Sequence, residues 1–186
     1  MNKCYRGMII DAGVGRPALT MPPGRPPLAL EVRVRLYGIP PPTNPKVRFD
    51  LDADVAGDVH PATGGVSVSP RWEDLPFFTV PRRLRGALPS KNFRSAVGDP
   101  DTRIWSHHAP AGFPVPTAGA VHFASGLTLR ADRADHGLLE PSATTRHTSF
   151  ATAITATQQD WNVDEPPPPP GASLTGGGAA THGPTP

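Results

Sequence analysis

The chain lacks several features that would place a protein in a class quickly. Its 186 residues include one cysteine, Cys4, so no intramolecular disulfide and no cysteine-based metal site can form. No apolar run approaches the roughly 18 residues of a membrane span, and the run at 8–10 is too short for a signal-peptide core. We therefore expect no membrane association and a cytoplasmic protein, or one secreted into a target cell without a signal peptide.

Charge and aromatic residues are also sparse. The formal net charge is +2 and aromatic residues make up 6% of the chain. A strong basic field and a base-stacking platform are both missing, so the sequence gives no strong nucleic-acid signal. The one basic cluster, at residues 81–85 (PRRLR), is typical of a solvated loop or of a surface that faces phosphate or an acidic partner.

Proline and glycine, by contrast, are abundant and crowd the two ends. The chain has 26 prolines and 19 glycines. Such segments bury too little apolar surface to offset the entropy of ordering them. The composition predicts a disordered Pro/Gly-rich arm at 1–27, a single globular domain at 28–163 and a disordered Pro/Gly-rich tail at 164–186.

Within that domain the patterns favour strands. Residues 28–37 (LALEVRVRLY) alternate apolar and polar side chains, which predicts a strand with one buried face and with Arg33 and Arg35 together on the other. Shorter strands are predicted near 47–51, 66–69, 104–105, 121–123, 127–130 and 136–140. Apolar residues at helical spacing predict one helix over 148–161 with Thr148 as its N-cap. The expected fold class is α+β, a curved and mostly antiparallel sheet with few helices.

The most distinctive stretch is residues 61–70 (PATGGVSVSP). Gly64 and Gly65 allow a sharp turn and a close approach of a ligand to the backbone. In the strand that follows, the two valines point to one face while Ser67 and Ser69 point to the other. The pattern predicts a surface bearing hydroxyl groups beside an open backbone, or simply a loop that enters a half-buried strand.

Two metal hypotheses are weaker. Aspartates at 50, 52, 54 and 58 suggest a calcium loop, but the twelfth position holds Pro61 instead of glutamate. Histidines at 60, 107, 108, 122 and 136 could bind zinc or iron, yet none has the pairing of a helix-borne site. We predict no metal.

The order of the remaining groups suggests cleavage of the glycosidic bond of NAD. That reaction passes through an oxocarbenium-like state, which a carboxylate stabilises, while arginine pairs with phosphate or ribose oxygens and serines orient the carboxylate and the ribose. Glu140, in the segment HGLLEP, is either an edge-strand surface charge or a carboxylate in a partly apolar pocket. With NAD as substrate, the predicted catalytic residues are Glu140, Ser67 and Ser69, and the predicted NAD-binding residues are Arg33, Arg35, Gly64 and Gly65.

Residues 61–68, 127–132 and 136–141, followed by the helix over 150–161, resemble small bacterial type VI secretion effectors with an ADP-ribosyltransferase-like fold. The resemblance implies a toxin of bacterial competition that acts in the cytosol of a target cell, an immunity protein that restrains it at home, and a possible carrier or secretion apparatus. It also implies an arginine after a Leu-Tyr pair at the end of the first strand. Here Leu36-Tyr37 precedes Gly38, so Arg35 or Arg33 takes that role or the role is missing.

A second class of function remains open. A small twisted sheet with proline-rich arms is also typical of a non-enzymatic binding module, which needs no arginine after Leu36-Tyr37. The enzyme hypothesis accounts better for the Gly-Gly-Val-Ser-Val-Ser run followed by Glu140. For either class, the residues that select an acceptor or partner are expected in the long loop at 70–100.

Overall fold

The computed structural model describes residues 2–21, 28–43, 49–116 and 119–171. These residues form short strands and few helices. The strands are β1 (Asn2–Asp11), β2 (Arg16–Pro17), β3 (Val34–Arg35), β4 (Leu51–Asp52), β5 (Asp58–Val59), β6 (Val66–Val68), β7 (Thr102–Ala109), β8 (Ala120–Ala124), β9 (Leu127–Arg133), β10 (His136–Pro141), β11 (Thr145–Arg146) and β12 (Asn162–Val163). The helices are α1 (Lys91–Arg94) and α2 (His147–Ala156), and short 3-10 turns lie near both.

Two antiparallel sheets meet to form one curved surface. The first has the order β12-β7-β1-β2 and the second the order β6-β10-β9-β8. They join where Tyr5 of β1 and Ser69 exchange two backbone hydrogen bonds, of 2.7 and 2.9 Å. The short pair β3–β4 is parallel. The predicted curved, mostly antiparallel sheet with few helices is therefore confirmed.

The apolar side chains form two cores. The larger lies inside the curved sheet and under α2, and its largest members are Trp105, Trp161, Phe150, Leu129 and Leu139. The smaller core is formed by residues 70–100, which were predicted to be a loop, together with Ile104 of β7. It contains Leu75, Val80, Leu84, Phe93, Ala96 and Ile104.

The predicted disordered arm at 1–27 is wrong for most of its length. Residues 2–11 form β1, which pairs with β7 from Asn2–Ala109 to Ile9–Thr102. Cys4 and Met8 are fully buried, and the indole nitrogen of Trp105 donates to the Met8 carbonyl at 2.9 Å. Long-range pairing and burial thus order a segment whose local composition predicted disorder. The part of the arm at 22–27 lies outside the described residues.

The predicted strand at 28–37 is also largely wrong. Leu28, Ala29 and Leu30 are buried consecutively, whereas Leu36 is 46% exposed, so the burial does not alternate. Within the described residues only Val34–Arg35 pairs as a strand, with Leu51–Asp52, whereas Leu28 and Leu30 make single backbone hydrogen bonds to Ile9 and Ala18. The second predicted strand, at 47–51, is described only from residue 49.

Strand β6 and the chain from residue 120 onwards follow the predictions more closely. Strands β6, β8, β9 and β10 lie where alternation placed them. The helix ends at Ala156 and continues as a 3-10 turn, Thr157–Asp160, and Arg146 rather than Thr148 precedes it. The predicted disordered tail from 164 is wrong at its start, because Asp164 binds Lys3 at 2.6 Å and Glu165 binds Arg83. Residues 172–186 lie outside the described part.

No helix among the described residues is long and apolar enough to cross a membrane. Across the same residues, no three His, Cys, Asp or Glu side chains are grouped to hold a metal ion.

His107 in β7 makes the fold sensitive to acid. Its ring packs on Phe123 at 4.3 Å and on Trp161 at 5.3 Å between centroids, and its Nδ1 lies 2.7 Å from the His108 carbonyl. Burial lowers the pKa of His107 below its ordinary value of 6.5, although the His108 carbonyl and Asp160 oppose the shift. The unfolded chain therefore binds more protons than the fold as the pH falls through about 6.5, and stability decreases there.

We expect wild type to lose more unfolding free energy than His107→Gln between about pH 7.5 and pH 5.5. Urea unfolding at the two pH values measures the difference. Equal losses in the two proteins would contradict the assignment.

Candidate functional site

A cleft of about 510 Å³ lies where the two sheets separate, next to the Tyr5–Ser69 bridge. This volume is within the usual range of small-molecule sites, roughly 300–1,000 Å³. Residues from β1, β6, β10 and the 70–79 segment line it, so side chains far apart in sequence face one space. The residues that line the cleft include Arg6, Asp50, Gly64, Gly65, Ser67, Ser69 and Leu138.

Arg6 occupies the gap between the sheets. Backbone groups two residues apart on a strand face the same neighbour, so the Ser67 carbonyl points towards β1 as Ser69 does. Continued pairing would set Gly7 beside Ser67, but the strands diverge, and Nη1 of Arg6 donates to the Ser67 carbonyl at 2.6 Å instead. A second nitrogen, Nη2, lies 3.4 Å from the Ala29 carbonyl. The guanidinium is thus fixed in the cleft by backbone acceptors.

The charge of Arg6 is buried but balanced. Arg6 is only 6% exposed. Burial lowers the pKa of its guanidinium, while the negative charges of Asp50 and Glu31 oppose that shift. Burial raises the pKa of the Asp50 carboxyl, and the positive charge of Arg6 is the largest effect that opposes this rise. An arginine stays protonated despite such a shift, so the cleft holds a permanent cation beside a carboxylate.

Ser67 and Ser69 are brought to this cleft, as the sequence predicted for one surface. Ser67 is exposed in the middle of β6, opposite Leu138 of β10. Ser69 is only 3% exposed, and its backbone is held by Tyr5. Ser67 is therefore open to solvent, whereas Ser69 is a buried part of the cleft lining.

Gly64 and Gly65 line the same cleft, and the packing of the backbone itself requires glycine there. Gly64 has a φ of 154°, and an added Cβ would lie 2.4 Å from the Asp50 carbonyl oxygen. At Gly65 it would lie 2.3 Å from the Leu139 carbonyl oxygen. Substitution would therefore push the 61–65 loop away from Asp50 at the first position and from β10 at the second, whether or not a ligand approaches.

The rim of the cleft carries two half-exposed rings. Phe49 is 36% exposed and Phe78 is 40% exposed, and both line the site. Aromatic side chains at the edge of a polar cleft offer flat surfaces for a planar ligand ring.

Glu140 lies beside the cleft but does not line it. It shares a face of β10 with Leu138, which does. Its residue is 1% exposed, and its carboxylate accepts from Arg130 Nε at 3.0 Å and Nη2 at 3.1 Å and from the Ala62 backbone nitrogen at 3.2 Å. The sequence left two alternatives for Glu140, an edge-strand surface charge or a carboxylate in a partly apolar pocket. The surface charge is wrong, because the 61–65 loop covers the carboxylate.

Arg33 and Arg35 are not among the residues that line the cleft. Arg33 Nη2 lies 2.7 Å from Glu31, and Arg35 Nε donates to Asp52 at 2.8 Å. The Arg35 pair is partly exposed to solvent, where ion pairs are screened and add little to stability. The structure therefore does not bring these arginines together with the serines.

Arg6 is the cleft residue that the sequence interpretation missed. The arginine was sought after Leu36-Tyr37, yet Tyr5-Arg6 has the same aromatic-to-arginine order within the true first strand. That signal was present, but it lay in a segment whose composition indicated disorder. The chain matches no protein-family model and no curated protein.

Proposed function

We propose that the chain is a bacterial effector toxin that binds NAD in this cleft and cleaves its nicotinamide–ribose bond, with an ADP-ribosyltransferase-like fold. The observation that carries the proposal is the convergence of Arg6, Ser67 and Ser69, from strands distant in sequence, on one cleft at the split between two sheets. A fixed guanidinium suits the phosphate or ribose oxygens of a dinucleotide, and the half-exposed rings at the rim suit its planar bases.

Further parts of the proposal rest on the resemblance of residues 61–68 and 136–141. They are action in the cytosol of a target cell, restraint by an immunity protein, and delivery by a carrier or secretion apparatus. The acceptor of the ADP-ribose group is left open, since water, a protein, a nucleic acid or a small molecule would all fit this chemistry.

A non-enzymatic binding module is the second candidate. The observation that favours it is the closure around Glu140, whose carboxylate has three hydrogen-bond donors and almost no exposed surface. A module of this kind would use the same cleft for a ligand without transforming it.

A thermal-shift titration with NAD tests the proposal. A ligand that binds only the native state at 100 times its Kd stabilises it by about 2.7 kcal/mol, so the midpoint should rise by roughly 5–10 °C. Arg6→Lys removes the paired donors but keeps the charge and should abolish most of this rise. Its matched control is Arg35→Lys, which alters an arginine outside the cleft.

The outcomes separate the hypotheses. No shift with wild type at millimolar NAD would contradict NAD binding and favour the binding module. If Arg35→Lys removes the shift and Arg6→Lys does not, the arginine predicted from the sequence binds NAD and the assignment to Arg6 is wrong. Unfolding of each variant without NAD checks that both proteins are folded.

A further inference from the structure

Away from the cleft, three side chains form a chain of hydrogen bonds at the β5–β11 pair. His60 Nδ1 lies 3.0 Å from Thr144 Oγ1, and His60 Nε2 lies 3.0 Å from Asp54 Oδ2. None of the three lines the cleft. A hydroxyl, an imidazole and a carboxylate in this order are the groups that activate an oxygen nucleophile.

The backbone of the 54–58 turn fixes the carboxylate. Asp54 Oδ1 accepts from the backbone nitrogens of Ala56 and Asp58, both at 2.9 Å, so Oδ2 remains for His60. The Asp58 backbone hydrogen bond, with help from His60, lowers the pKa of Asp54 and keeps it ionised. An ionised carboxylate only accepts, so the hydrogen of the neutral ring is on Nε2 and Nδ1 accepts from the Thr144 hydroxyl.

The strand register places the hydroxyl. Thr145 pairs with Val59 in the antiparallel ladder, so Thr144 and His60 are the next cross-strand neighbours. Gly57 holds the other end of the pair by accepting from the His147 backbone nitrogen at 3.2 Å. Thr144 is exposed, and the His60 and Asp54 side chains are 39% and 38% exposed, so a small reagent reaches all three groups.

We propose that Thr144 is the nucleophile of a surface acyl-transfer site, with His60 as its base and Asp54 as a positioning residue, and that its substrate class is the small activated ester. Thr144 Oγ1 attacks the ester carbonyl carbon while its proton passes to His60 Nδ1. The ester C–O bond breaks, the leaving oxygen takes the electron pair and then the proton from His60 Nδ1 to depart as the alcohol or phenol, and the acyl group stays on Thr144. The site is open, so it suits small donors and has no enclosure for a large one.

The probe is p-nitrophenyl acetate on the full chain, followed by peptide mass spectrometry. Acetylation at Thr144 should be at least tenfold faster than at Thr152, an exposed threonine whose hydroxyl donates to the Thr148 carbonyl and contacts no histidine. This internal control needs no mutant. His60→Gln should lower labelling of Thr144 by tenfold or more and leave Thr152 unchanged.

Asp54→Asn tests the positioning role. Asparagine keeps an oxygen for the two turn nitrogens but presents an NH₂ group to His60 Nε2, which favours the tautomer with the hydrogen on Nδ1. Nitrogen-15 NMR of the ring should show that change, and labelling of Thr144 should fall by at least tenfold. If Asp54 had a purely structural role, the substitution would change neither the tautomer of the His60 ring nor the labelling of Thr144.

Two results would overturn the proposal. One is acetylation of Thr144 in wild type no faster than that of Thr152. The other is labelling of Thr144 that is unchanged in both His60→Gln and Asp54→Asn while the NMR spectrum shows folded protein. Neither result bears on NAD binding, because the two sites share no residue.

Discussion

Deletion of residues 1–11 should leave a chain that does not fold. β1 lies between β7 and β2 and meets β6 at Tyr5, so its loss exposes backbone groups of two sheets. It also removes the fully buried Met8 and Cys4. Removing one large buried side chain costs about 2–5 kcal/mol. These losses, added to the lost backbone pairing in two sheets, are comparable to the roughly 5–15 kcal/mol that stabilises a typical domain.

Circular dichroism and urea unfolding measure this outcome, and two point variants make it specific. Met8→Ala should lower the unfolding free energy by about 2–5 kcal/mol. Its control is Val14→Ala, in the turn between β1 and β2 and 59% exposed, with an expected change within about 0.5 kcal/mol. A deleted chain that keeps a cooperative unfolding transition would contradict the central place of β1.

The failure to predict β1 has a physical cause. Its burial pattern does not alternate, since Arg6, Gly7 and Met8 are buried consecutively. A strand covered on both faces has no period-2 signature. Its partner β7 lies about a hundred residues away, and no local pattern reports such pairing. The alternation at 28–37 misled for the converse reason. The periodicity is present, but in the part of the chain that the structure describes only Val34–Arg35 pairs with another strand.

Prediction succeeded where the contacts are local in sequence. β9 and β10 form a hairpin in which Leu127, Leu129 and Ala131 are buried in alternation. One face of that hairpin is covered and the other is partly open, so its periodicity reports the fold directly. The strand β6 was also located by its alternation, in which Val66 and Val68 are buried and Ser67 is exposed, although its partner β10 is distant in sequence.

The candidate site was predictable only in part, for a related reason. Gly64, Gly65, Ser67 and Ser69 lie in one short stretch, residues 64–69, so a single motif locates all of them. Arg6 joins them from about sixty residues away through a hydrogen bond to a backbone carbonyl, which leaves no trace in residue type. The position of Glu140 along β10 was predicted correctly, but the cover over it depends on the loop conformation, in which Ala62 takes a φ of 62°.

Glu140→Gln should lower stability and, if the carboxylate is catalytic as predicted, should lower nicotinamide release by about 100-fold or more. Gln keeps an acceptor for the Ala62 nitrogen but loses the ionic part of the contact with Arg130. The Arg130 side chain is 26% exposed and so remains partly solvated. We therefore expect a loss of about 1–3 kcal/mol, less than for a fully buried ion pair.

Arg130→Gln is the matched control, because it breaks the same ion pair and keeps the carboxylate. It leaves an almost fully buried Glu140 without its cation, so its stability loss should be the larger, about 3–5 kcal/mol. A double-mutant cycle then gives the coupling of the pair. If the loss of activity in Glu140→Gln came from instability, Arg130→Gln would lose at least as much.

The decisive measurement combines NAD affinity with nicotinamide release at a temperature where all variants are folded. A catalytic Glu140 lowers the rate and leaves NAD affinity nearly intact, since its charge is required in the oxocarbenium-like state and not in the bound dinucleotide. A Glu140→Gln protein that folds, binds NAD and releases nicotinamide at the wild-type rate would remove the catalytic role. Glu140 would then be a buried partner of Arg130 that holds the 61–65 loop against β10, and the cleft would act through Arg6 and the two serines.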